Sequence, residues 1–216
     1  MAQLFPKQAN GLSQASIAAG AALGGGVLLV LFLLARSGYA TGEATPYDQT
    51  VPFSHNHHTT GVGIDCRYCH TSVETSATAS IPPTQTCMNC HSQIWTNAPL
   101  LEPVRESYRT GKSLQWRKVN DLPDFAYFNH SAHVNKGVGC TTCHGQIGEM
   151  PLVYQAQSLQ MQWCLNCHRN PEQFLRLKSE VYAPVWNPPA NQLEEGAKLR
   201  ALYKANPRVS CSTCHR

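Results

Sequence analysis

CRYCH, from Cys66 to His70, decides how the rest of the chain is read, because the same frame returns four more times. It recurs as CMNCH from Cys87 to His91, CTTCH from Cys140 to His144, CLNCH from Cys164 to His168 and CSTCH from Cys211 to His215. The five frames use all ten cysteines of the 216 residues. Zinc sites and disulfides also use cysteine pairs, but neither requires a histidine at the same following position five times. With ten histidines in 216 residues, chance supplies one at a given position about 5% of the time. A redox CxxC does not come five to a chain. Two cysteines three apart can form thioethers with the two vinyl groups of one haem, while the adjacent histidine ligates its iron. The spacing therefore predicts five covalently bound c-type haems. Their attachment pairs are Cys66 with Cys69, Cys87 with Cys90, Cys140 with Cys143, Cys164 with Cys167, and Cys211 with Cys214. His70, His91, His144, His168 and His215 are the expected proximal ligands.

The remaining histidines fall in two clusters, FSHNHH from Phe53 and FNHSAH from Phe128. His55 and His58 recur 75 residues later as His130 and His133, and each cluster leads through a Gly/Val link into a CxxCH. The chain thus holds an internal repeat: Phe-x-His-x-x-His, a CxxCH, a spacer and a second CxxCH, with the fifth motif standing alone. Histidines three apart on a helical turn share a face, so His55, His58, His130 and His133 are expected distal ligands for four irons. His57 has no counterpart, since Ala132 stands there, and is expected at the surface or against a propionate. Four distal histidines do not serve five irons. Methionine is the other common sixth ligand; Met1 is terminal and Met88 lies inside its own motif, which leaves Met150 and Met161 as equal candidates.

Residues 17–35, IAAGAALGGGVLLVLFLLA, carry no charge and extend about 28 Å as a helix, one hydrocarbon thickness. They are expected to be a retained transmembrane anchor. The rival is a cleaved signal peptide, for which Gly38, Tyr39 and Ala40 offer a small-x-small site. No other stretch is apolar enough to span a bilayer, so a polytopic protein is excluded. Seventeen basic against 13 acidic residues give +4 with no dense Lys/Arg run, so nucleic acid is not indicated as a partner. Five haems would add about ten propionate charges and bring the balance to roughly −6. Attachment of c-type haem takes place on the outer face of the energy-transducing membrane, so the soluble part is expected on the periplasmic side.

The expected fold class is a multihaem cytochrome c: one N-terminal transmembrane helix and a haem-packed, mostly irregular domain with short helices and little or no sheet. Short helices are expected at the CxxCH turns and a longer one at Gln192 to Lys204. The expected layout is a cytoplasmic segment over 1–16, the membrane helix over 17–35 and a linker over 36–50. A first dihaem module over 51–125, a second over 126–180 and a segment with the fifth haem over 181–216 follow. With roughly 35 soluble residues per haem, porphyrin must substitute for an aliphatic core. Irons capped on both sides leave no coordination site for substrate, so the chain is expected to carry electrons and not to be an enzyme on its own.

The repeated F-x-H-x-x-H with paired CxxCH resembles the class III, or cytochrome c3 and c7, type of multihaem protein. The single anchor, the five motifs and the stretch MPLVYQAQSLQMQWCLNCHRNPE resemble more narrowly the pentahaem cytochrome subunits of bacterial alternative complex III. That resemblance implies a menaquinol-oxidising assembly at the bacterial cytoplasmic membrane. Its partners would be polytopic quinol-oxidising subunits, an iron-sulfur subunit and a periplasmic acceptor, either a mono-haem cytochrome c or a copper protein. Two other classes compete. A stand-alone quinol dehydrogenase of the anchored tetrahaem type needs an incompletely ligated haem near the membrane. A multihaem reductase needs a vacant catalytic haem.

Overall fold

A computed structural model describes residues 5–215. The first four positions of the expected 1–16 segment, and Arg216, lie outside the described residues. The chain divides into two compact units, Met1–Glu43 and Ala44–Arg216.

In the first unit, helix α1 runs over Gln8–Arg36, 29 residues, and begins nine positions before the apolar run that predicted it. The extension is local chemistry. The Ser16 hydroxyl donates to the Leu12 carbonyl at 2.8 Å and that of Ser13 to Asn10 at 3.3 Å, so polar side chains are satisfied without leaving the helix. α1 ends where Ser37 turns extended and its hydroxyl donates back to the Leu34 carbonyl. None of its residues is buried, and it is long and apolar enough to cross a membrane. A single turn, α2 over Gly38–Thr41, follows and stops at Gly42 in the left-handed region.

The second unit is built from short helices: α3 over Cys66–Cys69, α4 over Thr84–His91, α5 over Glu102–Thr110, α6 over His130–Val134, α7 over Cys140–His144, α8 over Met161–Arg169, α9 over Gln192–Tyr203 and α10 over Cys211–Cys214. Every CxxCH frame opens or closes one of them. Asp65 caps α3 by accepting from the Arg67 amide, and Asn129 caps α6 by accepting from that of Ala132. The helix expected at Gln192 to Lys204 ends one residue sooner, with Lys204 itself left-handed as the cap. Among the described residues, β structure is confined to three isolated antiparallel bridges, Pro46 to Tyr154, Ala126 to His215 and Val138 to Leu175.

The two repeats are interleaved. The Asn56 amide donates to the Met150 carbonyl and the Thr60 hydroxyl to that of Gly148, so the first His cluster docks on the loop after the third motif. In return the His130 amide donates to Ala77 and the Ser131 amide to Ser76, docking the second cluster on the loop after the first motif. Asn56 and Ser131 are the same position of the repeat, so the exchange is reciprocal. Gly148 permits this approach: a Cβ there would lie 2.6 Å from that of Pro184 and 2.8 Å from the Thr60 hydroxyl. Among the described residues, buried aliphatic side chains make two small clusters, Val73 with Val134 and Val181, and Leu175 with Leu199 and Ala205. The first draws on both repeats.

Candidate haem sites

Eight of the ten histidines meet in four opposed pairs. His55 opposes His70 with ring centres 6.5 Å apart, His58 opposes His91 at 6.2 Å, His130 opposes His144 at 6.4 Å and His133 opposes His168 at 6.2 Å. Each pair joins one histidine of an F-x-H-x-x-H cluster to one CxxCH histidine of the same repeat. With about 2.0 Å from metal to nitrogen and about 1.1 Å from nitrogen to ring centre, two imidazoles sharing one iron should sit about 6.2 Å apart. The gaps fit an iron between each pair. They are far too wide for direct hydrogen bonds.

Tautomers agree with that fit. Nδ1 faces a backbone carbonyl in His58 (Ser54, 2.8 Å), His70 (Ser80, 2.7 Å), His91 (Ile94, 3.3 Å), His130 (Ala77, 2.8 Å), His133 (Asn129, 2.7 Å), His168 (Arg208, 2.8 Å) and His215 (Phe125, 3.1 Å). A carbonyl only accepts, so Nδ1 carries the proton and Nε2 presents its lone pair, the arrangement found around metal-bound imidazole. His55 differs: its Nδ1 is buried without a partner. The phenylalanines predicted beside the clusters do pack there. Phe53 stacks on His58 and meets His55 edge-on, and Phe128 does the same to His133 and His130.

Burial favours the neutral form of four of these rings, His55, His58, His133 and His144. Burial, then the neighbouring His70, His144 and His58, lowers His55 to about 4. Burial, then His130 and His70, lowers His144 to about 4. Burial also lowers His58 and His133, against the carbonyls of Ser54 and Asn129 that favour the charged form. A neutral imidazole is the form that binds metal. Among the thiols, burial and then Cys167 and Cys164 push Cys143 up to about 12, and burial pushes Cys167 up to about 11. A hydrogen bond with Cys66 raises Cys140, with burial adding to it.

The last two histidines stand apart. His57 is exposed and packs against Trp95 at 5.3 Å, away from any CxxCH frame but its neighbour's. His215 faces the Phe125 ring at 5.7 Å, and among the described residues no imidazole opposes it. Met150 is buried, 2% exposed, close to Gly145 just after the third motif. Met161 is 65% exposed at the start of α8, one turn before Cys164.

Sequence reading missed Arg176. It is 2% exposed, donates to the hydroxyls of Thr141 and Thr142 inside the third motif, and stacks over Trp186 at 3.9 Å. It occupies the space that a side chain on Gly139 would need, since a Cβ there would fall 2.1 Å from its guanidinium carbon. Burial lowers its pKa to about 10, which leaves it charged at neutral pH. Only the adjacency of a lone Gly to the third CxxCH could have hinted at it.

Residues 126–216 match the family described as cytochrome c7 and related cytochrome c. Over those residues the fold class is multihaem cytochrome c. Covalently bound haem c is the cofactor of that class, and the matched segment holds three of the five CxxCH frames. The chain is also 28% identical over 144 residues to a menaquinone reductase, multihaem cytochrome c subunit, of Nitratidesulfovibrio vulgaris, covering 57% of this chain and 69% of the relative. Cytochrome c is the common ground of these likenesses, and the quinone link belongs to the relative's printed name alone.

Proposed function

We propose that this chain is a membrane-anchored pentahaem cytochrome c that relays electrons within a quinol-linked oxidoreductase complex. Each bound haem takes up and releases one electron at its iron. The residues of this chain do the rest. The five cysteine pairs fix each porphyrin covalently. His70 with His55, His91 with His58, His144 with His130 and His168 with His133 would each hold one iron between them and would exclude small molecules from the metal. Backbone carbonyls lock seven imidazoles in one tautomer, which limits reorganisation when the iron changes charge. For the iron held by His215, Met161 is the better sixth ligand: it lies one turn from Cys164, whose sulfur is close to Cys214. The Met150 side chain is buried against Gly145 beside the third motif, where His144 and His130 already oppose each other. The modules over 51–125 and 126–180, with the fifth haem in 181–216, are the units of this relay. The observation that carries the reading is the set of four imidazole pairs at one iron-spanning distance.

In this reading α1 anchors the protein in the bacterial cytoplasmic membrane with the haem unit in the periplasm. Polytopic quinol-oxidising subunits and an iron-sulfur subunit supply electrons, and a mono-haem cytochrome c or copper protein accepts them, as in alternative complex III. The relative's printed name is a quinone reductase, and a relay capped in this way serves either direction. Purification from native membranes in mild detergent tests the reading. Five haem equivalents per chain by pyridine haemochrome, with co-migrating membrane subunits, are expected; fewer haems, or a lone polypeptide, would contradict it. A second reading, the stand-alone quinol dehydrogenase, gains from the single histidine without an opposing imidazole. A high-spin electron paramagnetic resonance signal that responds to quinol analogues would favour it, whereas an all-low-spin unsubstituted protein in which Met161→Leu turns one iron high-spin would favour the relay.

A further inference from the structure

Taking the pentahaem reading as its basis, we infer that the five haem sites lie in the unbranched series motif 2, motif 1, motif 3, motif 4, motif 5, so that electrons enter and leave at Cys87–His91 and Cys211–His215. This order differs from the order along the chain, and each junction rests on its own contacts.

Motifs 2 and 1 are joined by a hydrogen bond between their variable residues, from the Asn89 amide to the Tyr68 hydroxyl at 3.1 Å, and by His55 and His58 on one turn. Cys69 lies near enough to Cys87 for their charges to interact. Motifs 1 and 3 meet across the reciprocal exchange of the two repeats. Cys66 Sγ reaches the Tyr182 carbonyl at 3.4 Å while the Cys140 amide donates to that of Val181, so one short segment holds both attachment cysteines. The near-parallel pairs His55/His70 and His130/His144 belong to these two motifs, and both His55 and His70 interact with His144. Motifs 3 and 4 share α6, whose His130 and His133 serve one each, and Cys143 lies beside Cys164 and Cys167. Motifs 4 and 5 meet where the His168 imidazole donates to Arg208, three residues before Cys211. The Tyr127 amide there donates to the Cys214 carbonyl, next to the Phe128 ring stacked on His133.

The ends of the series are marked independently. Of the ten cysteines only Cys90 and Cys211 are exposed, and they belong to motifs 2 and 5. A relay has to be reachable at its ends and insulated between them. Motifs 1, 3 and 4 carry the interior exchange, and motifs 2 and 5 face the redox partners.

His57 gives the means to test the order, because it is exposed, unpaired with any CxxCH ring other than through its neighbour, and beside Trp95 at the motif 2 end. A ruthenium photoreductant attached to His57 of the purified, haem-loaded protein injects one electron on a flash. The iron held by His215, which lacks an opposing imidazole, has its own absorption and reports arrival at the far end. Its reduction is expected last in the unsubstituted chain. In His130→Ala, the motif 3 iron loses its opposing imidazole and changes spin state, which should interrupt the series there and slow arrival at least tenfold. Reduction of the His215 site first, or at an unchanged rate in His130→Ala, overturns the order while five haems by pyridine haemochrome leave the pentahaem reading standing. Fewer than five haems defeats that reading, and the order with it.

Discussion

The two repeats solve one ligand problem with different surroundings. In the first, the residue before the CxxCH is Asp65, which caps α3 and pairs with Arg67. In the second it is Gly139, α7 has no side-chain cap, and the buried Arg176 fills that place and bonds the motif from outside. The first cluster lies on a π-helical turn and keeps His57; the second lies on α6 and has Ala132. The ring separations nevertheless stay between 6.2 and 6.5 Å in both. What the repeats conserve in space is the gap that accommodates an iron, and the surrounding chain has been free to diverge.

The largest expected contrast comes from deleting attachment. Cys140→Ser with Cys143→Ser removes the haem at the junction of the repeats and should prevent assembly of the soluble unit, leaving little haem in the recovered protein. Cys87→Ser with Cys90→Ser removes one from the edge and should leave four equivalents by pyridine haemochrome. Equal outcomes for the two would break the distinction between an interior and a peripheral site.

Distal ligands come next. His55→Ala and His130→Ala should each convert one iron from low to high spin. His130 also ties the repeats together through Ala77, whereas the Nδ1 of His55 has no partner. His130→Ala should therefore lose about 1 kcal/mol more stability in chemical denaturation, the worth of an added hydrogen bond.

The residues before the motifs sharpen the comparison further. Gly139→Ala forces a methyl into Arg176 and should cost about 1–3 kcal/mol, as overpacking does. Asp65→Ala loses a cap and should cost about 1 kcal/mol. Thermal denaturation of the haem-loaded protein ranks them.

Acid supplies the last contrast. The folded pKa values of His55 and His144, about 4, lie below the ordinary 6.5. Folding favours their neutral form, so this stabilisation is complete above about 6.5 and drains away as pH falls towards 4. Iron bound at Nε2 acts in the same direction. The denaturant midpoint should fall between pH 7 and pH 4 while the low-spin spectrum stays unchanged down to about pH 5; a midpoint rising over that range would contradict the burial assigned to these rings.

Much of this was legible in the primary structure, for identifiable reasons. The CxxCH frames and the F-x-H-x-x-H clusters encode local geometry, thioether reach and a shared helical face, and both survive folding intact. The long apolar helix was legible as composition, although its start at Gln8 was not, because serines that look polar in sequence bond within the helix. Which distal histidine opposes which proximal one was not legible, since His55 and His58 have the same local signature and only the tertiary path sends them to different motifs. Arg176 was hidden for the opposite reason. A buried arginine is recognised by what surrounds it, here Gly139, Thr141, Thr142 and Trp186, and those come from distant parts of the chain.

The planes of the opposed imidazoles offer the most direct test. His55/His70 and His130/His144 are near parallel, at 5° and 7°, whereas His58/His91 and His133/His168 are turned by 66° and 46°. Parallel axial rings split the iron d orbitals strongly and give a rhombic low-spin signal; twisted rings leave them nearly degenerate and give a highly anisotropic one. Electron paramagnetic resonance of the fully oxidised protein should resolve two bis-histidine irons of each type. A spectrum in which all bis-histidine irons are of one type, or in which fewer than four are low-spin, would contradict the four-pair arrangement.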